Sequence, residues 1–205
     1  MTGGRSVIES RGKEGSIMSI PKEQLMTVDE LELMPDDGNR YEVIEGELFV
    51  TRAPNYEHQI VVANIIGIFK TYFIQQPIGI ITPGPGVIFS RFSGVIPDLV
   101  FVTHQTRKRI LSGGRLKGAP ELAIEIISPG AENRRRDRIA KRNLYGKYGV
   151  QEYWIVDYKT RTVEIYALKQ NVLQPVAKLN EKDVLTSTVL PGFTCAVKAI
   201  FADLD

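Results

Sequence analysis

Apolar residues recur along this chain with two spacings, one typical of helices and the other of strands. Between residues 56 and 75 they return to one face every three or four positions, which predicts a long helix. The Thr-x-x-Glu capping box at 27–30 predicts a short helix that ends before Pro35. A third helix is predicted over residues 132–148.

Runs of apolar and β-branched residues predict the strands. The two most continuous runs, 99–102 and 122–127, are typical of strands covered on both faces, so we expect them at the centre of a sheet. Further strands are predicted over 41–45, 47–52, 78–82, 87–89, 153–156 and 162–168, with shorter ones up to Thr194. Strands interspersed with helices in this way predict an α/β fold.

Two segments show no periodic pattern. Residues 1–25 are rich in Gly, Ser and charge, so we expect a disordered leader followed by a single domain over 26–205. Residues 103–118 contain six Lys, Arg or His and three Gly, which predicts a mobile basic loop.

Length and composition fit one globular domain of 205 residues. No apolar run approaches the roughly 18 residues that a membrane span needs, and the N-terminus lacks the apolar core of a secretory signal. We therefore expect a cytoplasmic protein that does not enter a membrane. The net charge of +2 does not decide for or against nucleic acid, and a single cysteine, Cys195, excludes a disulfide within the chain.

Two acidic residues accompany the two central runs. Asp98 stands at the head of one run, and Glu125 lies within the other, beside Ile124 and Ile126. A carboxylate among such residues is costly unless a positive group pairs with it. Two carboxylates and the backbone carbonyl of Ile126 offer the hard oxygen ligands that Mg²⁺ or Mn²⁺ prefers. This donor set predicts a site that hydrolyses phosphodiesters.

For either acid alone a structural role is an equally good interpretation. Asp98 could cap a strand or turn, and Glu125 could be neutralised by a nearby Arg, because structural ion pairs also perturb carboxylates. The occurrence of both acids on adjacent apolar strands favours the metal site.

The predicted helix over 132–148 supplies a candidate cation. At about 100° per residue, Asp137 and Lys141 fall in the middle of an arc formed by Ile139, Ala140, Leu144, Tyr145 and Tyr148. Lys141 is therefore predicted to point towards the sheet, where it could orient the attacking water and stabilise charge on the scissile phosphate. The alternative is an ion pair between Asp137 and Lys141, four residues apart.

The same helix carries arginines on its other faces. The projection sends Arg135, Arg136, Arg138 and Arg142 towards the flanks or away from the sheet. With Arg134, the residues Arg135, Arg138 and Arg142 form a candidate phosphate-binding patch, and a solvated charged face is an equally good interpretation.

Other polar residues could join the site. His58 opens the long helix and would reach Asp98 if that helix packs on the same side of the sheet; a lone His there is more often a surface or capping residue. Of the upstream acids Glu42, Glu45 and Glu47, the sequence selects none, because Gly46 could introduce a bulge that changes their alternation.

Taken in chain order, the motifs over residues 27–201 or so resemble those of the Uma-two family of restriction endonuclease-like proteins. This family is a branch of the PD-(D/E)XK nuclease superfamily. The resemblance rests on segments 41–48, 97–100, 120–129, 149–157 and 190–193, together with His58, Asp137, Lys141 and Tyr145. It implies a restriction endonuclease-like core, in which a central mixed β-sheet is flanked by helices.

The resemblance also implies roles for individual residues. Asp98 matches the first acid of the motif and Glu125 the second. The superfamily pattern places a Lys two residues after the second acid, where this chain has Ile127. The family's Asp-x-x-x-Lys-x-x-x-Tyr spacing matches Asp137, Lys141 and Tyr145. We therefore expect Lys141 to replace the missing Lys, with His58, Asp137 and Tyr145 as supporting neighbours.

These observations lead to the hypothesis that the protein hydrolyses DNA, with Mg²⁺ or Mn²⁺ on Asp98 and Glu125, water positioned by Lys141, and basic residues of 103–118 and 134–142 on the DNA backbone. One alternative is a catalytically silent nucleic-acid-binding or assembly module of the same fold. Another is a metal-dependent phosphohydrolase acting on small phosphate esters. A homodimer is a further expectation, since double-strand cutting needs two sites and the family tends to self-associate.

Overall fold

The computed structural model describes residues 25–127 and 135–204. The predicted leader, apart from its last residue, lies outside the described residues, as do the predicted helix start at residue 132 and the candidate Arg134. Within the described ranges, no helix is both long enough and apolar enough to cross a membrane.

Helices separate runs of two to five consecutive strands along the chain. The helices are α1 (Val28–Leu31), α2 (Tyr56–Gln75), α3 (His104–Ile110), α4 (Arg142–Tyr148) and α5 (Val197–Ile200), and a π-helical segment (Arg136–Lys141) runs directly into α4. The strands are β1 (Arg40–Ile44), β2 (Glu47–Thr51), β3 (Gly79–Pro83), β4 (Val87–Ser90), β5 (Ser93–Val95), β6 (Leu99–Thr103), β7 (Leu111–Ser112), β8 (Arg115–Leu116), β9 (Leu122–Ile126), β10 (Glu152–Asp157), β11 (Thr162–Lys169), β12 (Val172–Asn180), β13 (Val184–Thr186) and β14 (Thr194–Ala196).

One six-stranded sheet has the strand order β12-β11-β10-β9-β6-β3. Its neighbouring strands pair antiparallel except β9 and β10, which run parallel. The two runs expected at the centre, β6 and β9, are adjacent inner strands, and all of β9 is buried. The expectation of a mixed sheet flanked by helices is confirmed.

Successive residues of β6 enter two separate hydrophobic cores. Leu99 and Phe101 pack with α2 and the C-terminal residues, whereas Val100 and Val102 pack with the second sheet and α4. The alternation of side chains along a strand explains this division. Because each fully buried side chain of this kind contributes roughly 1.5–3 kcal/mol relative to exposure, β6 is held firmly from both faces.

A second six-stranded sheet, ordered β2-β1-β5-β4-β8-β7, packs on one face of the first. Its first hairpin turns at Glu45 and Gly46, which have φ values of 52° and 87°. Ile44 pairs with Glu47 directly across this turn. A two-residue turn with positive φ at both positions favours glycine at the second and keeps the strands in register. Gly46 therefore makes a turn and no bulge.

The predicted helices at 27–33 and 56–75 are both confirmed. Thr27 caps α1 with the reciprocal capping box that its spacing to Glu30 predicts. Asn55 caps the long helix α2, its side-chain oxygen accepting the backbone N–H of His58. Both caps satisfy N–H groups that have no partner within the helix.

The prediction of a mobile basic loop over 103–118 is wrong, because this segment contains α3 and the β7–β8 hairpin. Thr103 caps α3 by accepting the N–H of Thr106, and Ile110 anchors the helix in the second core. Three of the six basic residues, Arg107, Lys108 and Arg109, occupy the last turn of α3, where positive charge is favourable. The segment resembles a loop in its composition of basic residues and glycines, but not in its structure.

The projection of the third helix is wrong in part. Residues 136–141 form π-helical turns, in which hydrogen bonds join residues five apart and the turn is wider than in an α-helix. Arg136, Asp137 and Lys141 are all buried, whereas Ile139, expected on the inward arc, is 52% exposed, because at about 100° per residue it lies nearly opposite Asp137. Arg136 was expected to point outward and instead lies inside.

Candidate active site

Strands β6 and β9 bring the two predicted acids side by side. In their antiparallel ladder Leu99 pairs with Ile124, so Asp98 lies beside the following residues of β9. The backbone N–H of Ile126 donates to Oδ2 of Asp98 at 2.9 Å. Asp98 and Glu125 therefore meet at one end of this strand pair.

Asp98 contacts two side chains from other elements. Nε2 of His58, on α2, lies 3.1 Å from its Oδ2, and Nη1 of Arg40, on β1, lies 3.3 Å from its Oδ1. Burial opposes the charge of Asp98, but the hydrogen bond and charge of His58, followed by the charge of Lys141, outweigh it and lower the pKa of the carboxyl. His58, which is 2% exposed, thus takes the position at Asp98 that the sequence left conditional.

Glu125 is 1% exposed and has a different environment. Nζ of Lys141 donates to its Oε1 at 2.9 Å, and the hydroxyl of Tyr145 donates to the same oxygen at 2.7 Å. Burial raises the pKa of Glu125 to about 8; the charge of Lys141 opposes this rise, and neighbouring carboxylates, first that of Asp98, add to it. A further positive charge would stabilise the ionised form of Glu125.

Lys141 connects Glu125 with a third acid, Glu42 of β1. Its ammonium lies 2.9 Å from Oε1 of each carboxylate and is 1% exposed. Burial alone would lower the pKa of Lys141, but Glu125 and Glu42 outweigh burial and raise it. Lys141 thus points inward as predicted. The alternative ion pair with Asp137 is not formed, because Asp137 accepts two hydrogen bonds from Arg136, at 2.8 and 3.2 Å.

Glu42 is the upstream acid that the structure brings to this site. It is 2% exposed, and its Oε1 accepts the N–H of Ile96 at 2.6 Å. Glu45 and Glu47, at the hairpin turn, form exposed ion pairs instead. Strand alternation places Glu42 on the same face as Arg40, and this was the signal in the sequence that could have selected it.

Arg136 completes the buried charge cluster. It is 8% exposed, and its Nε lies 3.8 Å from Oε2 of Glu42 in addition to the bonds to Asp137. Burial opposes its charge, but Asp137 and then Glu42 outweigh burial and raise the pKa of Arg136. The projection missed Arg136 because its position lies on a flank of the helix, and its burial depends on pairing with Glu42 and Asp137.

A cavity of about 350 Å³ opens onto this cluster. It is lined by Arg40, Val50, Thr51, Arg52, Ala53, Pro54, Asn55, His58, Asp98, Ile126 and Arg136. We call this cavity the cleft. The loop between β2 and α2 forms one wall, and Asp98 lies at the base. Glu125 and Lys141 are not among the lining residues and lie behind Asp98.

The other arginines of the predicted patch already have partners. Arg135 forms an exposed ion pair with Glu47, and Arg138 forms a half-buried one with Glu164. The guanidinium of Arg142 lies over the ring of Tyr166, 5.5 Å from its centre. None of these three arginines lines the cleft.

The donor set at the base of the cleft fits a hard divalent cation. Four carboxylates surround two buried cations: Glu42, Asp98, Glu125 and Asp137 with Arg136 and Lys141. Two carboxylates and a backbone carbonyl are ligands of the kind Mg²⁺ and Mn²⁺ accept. Within 25–127 and 135–204, no three His, Cys, Asp or Glu side chains form a ligand cluster by themselves, so a carbonyl and water must complete any metal shell here.

The chain matches a family model and is similar to solved structures. A family model, Uma2, described as "putative restriction endonuclease", matches residues 28–198. Among solved structures, the chain is similar to "a putative nuclease belonging to DUF820" from Anabaena variabilis, with a TM-score of 0.67 and 19% identity, covering 86% of this chain and 97% of that chain. At this identity the likeness concerns the fold. No curated protein matches the sequence.

Proposed function

The chain belongs to the Uma2 family, and we propose that it is a metal-dependent endonuclease that hydrolyses phosphodiester bonds in DNA. The observation that carries this proposal is the meeting of three elements at one point. Asp98 precedes β6, Glu125 lies in β9, and Lys141 comes from the π-helical segment to within 2.9 Å of Glu125. Two acids and a cation are the groups that such hydrolysis requires.

Asp98, Glu125 and the carbonyl of Ile126 would hold the Mg²⁺ or Mn²⁺ ion. When bound, such an ion lowers the pKa of water and neutralises charge on the phosphate. Asp98 is supplied ionised by its hydrogen bonds from His58 and Ile126. Tyr145 and Lys141 fix Oε1 of Glu125, so the orientation of this carboxylate is set before any ligand arrives.

Lys141 is the proposed substitute for the Lys that the superfamily places where Ile127 stands. An ammonium has three N–H donors, and Glu125 and Glu42 accept two of them. The third donor can orient a water molecule towards the scissile phosphate. Asp137 supports this arrangement indirectly, because its pairing with Arg136 leaves Lys141 to the other two acids.

The DNA backbone would be held by positive groups at and around the cleft. Arg40 and Arg136 line it, and Arg40 lies 3.3 Å from Asp98. Arg135, Arg138 and Arg142, with Arg134, remain the proposed outer contacts. An exposed ion pair contributes only about 0–1 kcal/mol, so Arg135 can exchange Glu47 for a phosphate at little cost.

A cleavage assay tests the proposal. Supercoiled plasmid and single-stranded circular DNA are incubated with Mg²⁺ or Mn²⁺ and either the unmodified protein, Glu125→Gln or Lys141→Met. We expect nicking by the unmodified protein and its loss in both variants. Lys147→Met is the matched control, because Lys147 lies on the adjacent helix with 58% of its side chain exposed and should leave nicking unchanged.

The apolar residue at position 127 supports a second candidate function, that of a nucleic-acid-binding module without catalysis. This residue is 3% exposed and part of the second core, so it supplies no cation at the position where the superfamily has one. If the protein is such a module, the Asp98→Ala variant should still bind DNA. The unmodified protein should then not cleave DNA with any divalent ion. Nicking that disappears in Glu125→Gln excludes it.

Self-association and location stay part of the proposal. Cutting both strands of a duplex requires two sites, so we propose a homodimer, which light scattering coupled to gel filtration would measure directly. A cytoplasmic location remains the expectation from the sequence.

A further inference from the structure

An exposed aromatic ring stands beside the cleft. Tyr56 is 79% exposed and directly follows Pro54 and Asn55, both of which line the cleft. It is the first residue of α2, whose cap Asn55 also donates to the hydroxyl of Tyr158 at 3.0 Å. The backbone that carries Tyr56 is therefore fixed at both the helix and the sheet.

The same wall of the cleft carries an available positive charge. Arg52 is exposed and lines the cleft, and within residues 25–127 and 135–204 it forms no hydrogen bond or ion pair. This distinguishes it from Arg135 and Arg138, which have carboxylate partners. Val50, 51% exposed, adds apolar surface to the same wall. Arg52 and Tyr56 lie four residues apart on the loop that forms this wall and the start of α2, and an aromatic ring and a cation on one surface are the groups that bind unpaired bases and their phosphates.

The depth of the acids limits what can reach them. Glu125 is 1% exposed, the side chain of Asp98 is 10% exposed, and the cleft above them holds about 350 Å³. That volume is at the lower end of small-ligand sites. It accommodates about one nucleotide, and a strand whose bases are not held in a duplex can bend its phosphate into such a space.

We propose that Tyr56 and Arg52 form a platform for an unpaired nucleotide, with the base stacked on the ring of Tyr56 and an adjacent phosphate on the guanidinium of Arg52. This inference rests on the proposed function and deepens it, because it names single-stranded nucleic acid, or an unpaired segment, as the substrate class. The platform orients the strand so that the next phosphate enters the cleft above Asp98.

Fluorescence anisotropy with labelled oligonucleotides in EDTA tests the platform without relying on cleavage. Tyr56→Ala should weaken binding of a single strand about tenfold, as expected for the loss of one base–aromatic stack, and should leave binding of the matched duplex within about twofold. Tyr56→Phe keeps the ring and should retain single-strand affinity. Ile74→Ala is the matched control, since Ile74 is 76% exposed on the same helix, roughly 27 Å away.

DNA and RNA of the same sequence form the two arms of the experiment. Loss of affinity in Tyr56→Ala on either one supports the platform; unchanged affinity on both, or an equal loss on single strand and duplex, overturns it. Cross-linking from 5-iodouracil to Tyr56 gives an independent readout. If the unmodified protein shows this binding but never cleaves, the platform stands and the nuclease proposal fails. If cleavage occurs and Tyr56→Ala binds single strands as tightly as the unmodified protein, the nuclease proposal stands and the platform fails.

Discussion

The ammonium of Lys141 lies 2.9 Å from Oε1 of Glu125, deep between the two sheets. Because the same ammonium also contacts Glu42, it links an acid of one sheet to an acid of the other. Lys141 is therefore at once the proposed catalytic cation and a structural contact.

Replacing Lys141 with Met should destabilise the fold as well as the site. Breaking a buried ion pair by removing one partner costs about 3–5 kcal/mol, because the remaining charge is left buried without compensation. We expect the free energy of unfolding to fall by about 3 kcal/mol, the lower end of this range, because Glu125 can take up a proton and so lose its uncompensated charge. Urea unfolding at neutral pH measures this difference in the free energy of unfolding.

Lys147→Met serves as the control for that measurement. Its side chain is 58% exposed, so its free energy of unfolding should change by no more than about 0.5 kcal/mol. Equal stability of the Lys141 and Lys147 variants would show that the buried contacts of Lys141 contribute nothing to the fold.

The pKa of Glu125 predicts a pH dependence of folding stability. The folded protein raises this pKa from 4.5 to about 8, so between these values the folded state binds a proton that the unfolded chain has released. Stability contributed by Glu125 is therefore present at low pH and is lost as pH rises through about 8. The range from about pH 5 to about pH 8 lies between the unfolded and folded pKa values. Thermal unfolding in EDTA over this range should show the melting temperature falling as pH rises.

Glu125→Gln isolates this effect, because the amide does not titrate. Its stability should change less with pH than that of the unmodified protein over the same range. A divalent cation must displace the same proton, so its affinity should rise with pH up to about 8. Parallel pH profiles of the two proteins would contradict the assignment.

Asn55 should control both the stability of α2 and the wall of the cleft. Asn55→Ala removes the helix cap and the bond to Tyr158, and we expect a loss of about 1 kcal/mol in the free energy of unfolding. Asn55→Asp retains the cap but cannot donate to Tyr158, so it should recover most of this loss. Asn143→Ala, at an exposed position of α4, is the control. If Asn55→Ala has the same free energy of unfolding as the unmodified protein, Asn55 does not fix the wall of the cleft.

The sequence was a good guide where a regular pattern determines the structure. The bounds of α2, the central position of β6 and β9, and the meeting of Asp98 with Glu125 all follow from hydrophobic spacing and from the burial of acids between apolar neighbours. The inward direction of Lys141 followed from its helical position, although the turn that carries it is not α-helical.

What the sequence could not give depends on irregular geometry and on tertiary partners. Arg136 is buried because Glu42 and Asp137 pair with it, and residue spacing alone indicates neither these partners nor the π-helical turn. The contact of Glu42 with Lys141 depends on how the second sheet packs on the first. The helix α3 was hidden because its basic residues resemble those of a loop, and only Ile110 and the Thr103 cap distinguish it.

The parallel pairing of β9 and β10 requires the chain to return across the sheet before β10 can begin. The π-helical segment and α4 lie in this crossover, and they carry Arg136, Lys141 and Tyr145 to the acid of β9. Lys141 reaches Glu125 only where this connection packs on the sheet. The buried charge cluster therefore exists only with the crossover in place, and the pKa of Glu125 reports whether it is.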